Sequence, residues 1–114
     1  MGVSRKVITV PKSPAAAQRL DYNQAREHDL AEEHISDQEF HVLNTSGWID
    51  EINSCCDVLI DEYEDEKIPS GWQLTQLERI TERFSRHHQD AVFKKIQRAA
   101  QLAERLNTEV RFYF

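Results

Sequence analysis

Apolar positions recur along this chain with two different periods. The run KVITV at 6–10 is rich in β-branched residues and is stopped by Pro11, which predicts a short strand. At the other end EVRFYF (109–114) alternates, with Val110, Phe112 and Phe114 on one side, and predicts a half-buried strand. Between them the spacing is helical. Ser13-Pro14 ahead of three alanines reads as a helix start, with Ser13 as cap and Pro14 in the first helical position. Ile49, Ile52, Cys56, Leu59, Ile60 and Tyr63 form an amphipathic stripe that begins after the turn cluster Asn44-Thr45-Ser46-Gly47 and is broken by Pro69-Ser70-Gly71. Leu74, Leu77, Ile80 and Phe84 mark a second helix. Phe93, Ile96, Ala99, Ala100, Ala103 and Leu106 mark a third, after a joint at 87–90 and before a left-handed cap at Asn107.

Strands at both ends with helices between them predict an α+β fold. It is a small sheet that includes the N- and C-terminal strands, packed by three to four amphipathic helices. The expected organisation is a single domain, 1–114, in which 44–114 supply the helical core and the C-terminal strand. Leu20, Ala25 and Leu30 leave only a sparse stripe, so 18–37 reads as a mobile arm or a poorly packed helix. Ile35, Phe40, Val42 and Leu43 follow in a mixed segment with no assignable period.

With 39% hydrophobic and 30% charged residues the composition is that of a soluble globular chain, and no apolar run is long enough to span a bilayer. The start MGVSRKVITV has too short an apolar stretch for a secretory signal and lacks a small hydroxyl residue where an acylation signal needs one. The expected location is therefore cytoplasmic. The neighbouring Cys55 and Cys56 lie in a helical pattern and are expected to be reduced packing residues.

Charge changes this picture more than composition does. Residues 44–71 hold eight of the twenty carboxylates and one lysine, whereas 72–114 carry an excess of cations. On a continuous helix Asp50, Asp57, Asp61, Glu64 and Asp65 would share one face, opposite the apolar stripe. Like charges at i,i+4 cost a few tenths of a kcal/mol per pair, a cost that a cationic partner would offset. The pattern can equally be a solvated face, or one paired internally by Arg79, Arg83 and Arg86 of the next helix. Trp48 and Trp72 flank the acidic stretch and Tyr63 lies within it, so these aromatics are candidate interface anchors. The expected partner-binding set is Asp50, Asp57, Asp61, Glu64, Asp65, Trp48, Tyr63 and Trp72.

Signatures of chemistry are not found. His28 and His34 are six apart and cannot share a helix face, so no metal or other cofactor is expected. There is no phosphate-binding glycine loop and no nucleophile elbow, so no catalytic residue is proposed and the chain is not expected to be an enzyme. The basic residues Arg79, Arg83, Arg86, Lys94, Lys95, Arg98 and Arg105 are interspersed with Glu78, Glu82, Asp90 and Glu104 in a chain of net charge −6, which argues against nucleic acid as a partner.

The segment WIDEINSCCDVLIDEYEDE (48–66) and the ending AERLNTEVRFYF (103–114), where a helix turns into a terminal strand, give the last two-thirds of the chain a general character. It resembles small bacterial immunity proteins, the cognate inhibitors of secreted nuclease toxins. The resemblance implies a cytoplasmic inhibitor that plugs or covers the active site of a basic toxin domain, and it assigns no individual residue. A second class fits the same features: a regulatory or structural adaptor without catalytic activity, assembling through its terminal strands as a homodimer.

Overall fold

The computed structural model describes residues 6–114; the reading of the first five residues lies outside the described part. The fold is α+β. Its elements in chain order are β1 (Lys6–Pro11), α1 (Pro14–Asp21), a single 3-10 turn (Glu27–Asp29), β2 (Leu30–Ile35), α2 (Asp37–Thr45), α3 (Trp48–Cys56), β3 (Asp65–Ile68), α4 (Trp72–His87), α5 (Ala91–Leu106) and β4 (Val110–Tyr113). The four strands form one antiparallel sheet in the order β2-β1-β4-β3.

The first and last strands occupy its centre. Val7 faces Tyr113, Ile8 faces Phe112 and Thr9 faces Arg111 across the seam. Because side chains alternate, Ile8, Val10, Val110, Phe112 and Ile68 all point to one face. There they join Ile52, Leu77, Phe93, Ile96 and Ala100 from the helices in one buried core. Trp48 is fully buried, its ring edge-on to Phe112 at 5.8 Å, and its indole N–H donates to Thr81 Oγ1 at 3.0 Å. α1 lies over the opposite face, where Arg111 Nη2 donates to Ala17 O at 3.2 Å and to Asp21 Oδ1 at 2.6 Å.

Local signals are met where they are strongest. Ser13 Oγ accepts from Ala16 N at 3.0 Å with Pro14 opening α1, and Asn107 takes the left-handed conformation (φ 55°) that ends α5. Three sequence expectations need correction. Residues 18–37 do not form an arm: they contain the end of α1, the 3-10 turn and β2, which pairs along its whole length with β1. The sparse stripe arises because β2 is an edge strand with Glu32, Glu33 and His34 half in water, and because Arg19 and Asp29 tie the turn by a two-pronged bond at 2.9 and 2.6 Å. The helix expected to run to 66 ends at Cys56. And the terminal strands, being central, have no free edge through which to dimerise.

Only one of the two cysteines packs. Cys56 is buried, which pushes its thiol up to about 11 with help from the adjacent Cys55, while Cys55 itself is exposed.

Between α4 and α5, partial burial and a hydrogen bond that protonated Glu78 donates to the Glu104 carboxylate raise Glu78 from its ordinary 4.5 to about 7. A raised carboxyl pKa means that the folded chain holds a proton the unfolded chain has released. That stabilisation is complete below pH 4.5 and is lost as pH rises through about 7. Glu78→Gln should therefore stabilise the protein at pH 8 by about 1–2 kcal/mol and have little effect at pH 4. Thermal unfolding of both proteins across that range measures the difference.

Phe112 sits at the centre of the core, and Phe112→Ala should cost about 3–5 kcal/mol in a denaturant titration. A change below about 1 kcal/mol would mean that β4 is not part of the cooperative unit.

Candidate protein-binding site

The acidic stretch is a loop rather than a helix. At Asp57 the backbone turns left-handed (φ 57°), with Asp57 N bonded to Asn53 O. Val58 and Ile60 are then buried, whereas Leu59 between them and Asp57 and Asp61 on either side are exposed, which is strand-like alternation. A helix would spread 58, 59 and 60 through 200° and could not bury Val58 and Ile60 together while exposing Leu59. It would also stack the carboxylates one turn apart. The loop avoids both costs.

Side chains hold this loop in place of a helical ladder. Asn53 brackets Ile60 like a neighbouring strand, Oδ1 accepting from Ile60 N at 2.7 Å and Nδ2 donating to Ile60 O at 2.9 Å. Glu66 accepts from Leu59 N at 2.8 Å, and Asp61 Oδ1 accepts from Glu62 N at 2.8 Å. Phe114 N donates to Glu64 O at 3.3 Å, carrying the β3–β4 pairing one residue further. From beneath, the buried Lys6 ammonium lies 3.1 Å from both Asp37 and Glu62, and within 5.5 Å of the Phe40 and Tyr63 ring centres. Burial works against its charge, but the hydrogen bonds that it donates to Asp37 and Glu62 outweigh that and hold its pKa above the ordinary value.

The predicted residues divide accordingly. Asp57, Asp61, Glu64 and Asp65 are exposed, and among the described residues none of the four forms an ion pair with a lysine or arginine. They lie along the loop and the start of β3, not on one helical face. Asp50 is exposed in the first turn of α3, apart from the loop, and its neighbour Glu51 pairs with Arg83, the one ion pair between that helix and the arginines of α4. Trp48 is in the core and cannot meet a partner. Tyr63 and Trp72 are 78% and 60% exposed. Leu59, also 78% exposed, was expected in the buried stripe. Its true position is legible only in the alternation Asp57-Val58-Leu59-Ile60-Asp61, which the longer helical pattern hides.

Gln73 at the start of α4 donates to Cys56 O at 2.8 Å, so Trp72 is brought beside the beginning of the loop. Four large hydrophobic side chains are exposed among the described residues, and three of them, Leu59, Tyr63 and Trp72, belong to this surface. Apolar side chains ringed by carboxylates on a fixed backbone suit a basic protein surface better than a small molecule.

Asn53→Ala would leave Ile60 N–H and C=O without partners and should cost about 1–3 kcal/mol. Hydrogen exchange at Ile60 should accelerate while exchange at Phe112 follows only the global loss of stability.

Comparison of the chain with protein-family models, with curated proteins and with solved structures finds no match in any of the three.

Proposed function

We propose that this chain is a protein-binding inhibitor without catalytic activity of its own, most simply a cytoplasmic immunity protein that neutralises a cognate bacterial toxin with a basic active site, such as a nuclease. The observation that carries this reading is the loop 57–65. Its exposed carboxylates Asp57, Asp61, Glu64 and Asp65, which pair with no lysine or arginine among the described residues, surround exposed Leu59 and Tyr63, with Trp72 alongside; Asn53 and Glu66 hold its backbone and Lys6 holds the Glu62 side chain. Exposed aromatic and aliphatic side chains on a fixed loop supply anchors at low entropic cost. The carboxylates supply long-range attraction to a cationic cleft.

Charge and anchor are separable by experiment. Asp57 and Asp61 are poor positions for charge reversal, because one ends α3 in a left-handed conformation and the other bonds Glu62 N. Glu64 is free of both roles. With the partner isolated from the source cells and its activity assayed, Glu64→Lys should slow association, and the deficit should shrink as salt shortens the screening length from about 10 Å at 0.1 M. Leu59→Ala and Trp72→Ala should instead speed dissociation, each costing about 2 kcal/mol of affinity while changing stability by no more than about 0.5 kcal/mol. A partner bound as tightly by all three variants as by the parent would remove the loop from the interface. A concentration-dependent mass in sedimentation, abolished by Leu59→Ala, would show that the same surface joins two copies of the chain.

A further inference from the structure

The sheet face opposite the core is only partly covered by α1, and a groove of about 630 Å³ lies beside it. The register places its lining in two cross-strand rows. Glu32, Thr9, Arg111 and Lys67 form one row from β2 to β3, and Val7, Tyr113 and Asp65 form the next. The charges at the centre cancel. Arg111 bonds both Asp21 and Glu109, and Lys67 lies 4.0 Å from Asp21. Glu32 and Asp65, on opposite rims, form no ion pair with a lysine or arginine among the described residues, so the groove is anionic at both sides. The floor between them holds Thr9, which is 1% exposed and whose Oγ1 has no hydrogen-bond partner among the described residues. A buried hydroxyl in that state costs about 1–3 kcal/mol, which a ligand donor would relieve.

We propose that this groove binds a linear aliphatic polyamine. The two rims are three strand spacings apart, about 14 Å between backbones, so one small cation cannot meet both carboxylates. A chain with an ammonium at each end can. Its methylenes would lie against Val7, Leu20, Leu30 and the Tyr113 ring, all of which line the groove, and an internal ammonium would donate to Thr9 Oγ1. The site shares Asp65 with the acidic loop, but its other lining residues lie on the sheet face away from the core, and its ligand is not the protein partner proposed above.

Spermidine titrated into the isotopically labelled full chain, followed by amide NMR and calorimetry, tests this. Saturable one-to-one binding is expected, with the largest shifts at Val7, Thr9, Glu32, Asp65 and Arg111. Glu32→Gln and Asp65→Asn should each weaken it roughly tenfold, and putrescine, too short to reach both rims, should bind roughly tenfold more weakly than spermidine. Thr9→Val should weaken spermidine while raising the thermal midpoint, a combination that a purely structural threonine would not give. Absence of saturation, shifts confined to 57–64, equal binding of magnesium, or affinity unchanged in Glu32→Gln and Asp65→Asn would each overturn the proposal.

Discussion

The rest of the structure depends on the pairing of β1 with β4. It joins residues about a hundred positions apart, and closing so long a loop has an entropic cost that local contacts cannot offset. Burial of Ile8, Val10, Val110 and Phe112 along the seam supplies the compensation, at roughly 1.5–3 kcal/mol for each large side chain. Every other element is placed by it. β2 and β3 add to its two flanks, α3 to α5 cover one face, and α1 is pinned over the other by Arg111. A topology of this kind folds more slowly than a helical bundle of equal length, because its central contacts are its most distant ones.

Much of the architecture is legible in sequence wherever one local rule acts alone. The alternation at 110–114, the cap at Ser13 and the stripes of α4 and α5 each follow from a single periodicity or turn preference. The readings fail where two rules compete. Ile49 to Tyr63 fits a helical period, yet within it Val58 and Ile60 fit a strand period, and only the long-range contacts with Asn53 and Glu66 decide between them. β2 fails for another reason. An edge strand facing water on both flanking charges has no apolar period to read.

The candidate site was partly legible for the same reason. Composition locates the carboxylates and two of the exposed aromatics without knowing the backbone, since charge density survives a change of secondary structure. Geometry does not survive it. Trp48 and Trp72 each follow a glycine in similar local contexts, yet one closes the core against Phe112 and the other faces solvent. No local pattern separates them. What distinguishes Trp48 is Thr81, thirty-three residues away, which satisfies its indole N–H and so permits complete burial.

The central position of β4 also sets the order in which the chain can mature during synthesis. Translation delivers β1, β2 and β3 long before residues 110–113 emerge, so β1 can pair on one side only and β3 has no strand to join. A nascent or truncated chain therefore displays two open backbone edges that the finished sheet encloses, beside an apolar face still waiting for Phe112. The charges on β2 protect the outer edge of the mature sheet, but they do nothing for the inner one. Until the last strand arrives, this protein is at its most vulnerable to pairing with the wrong chain.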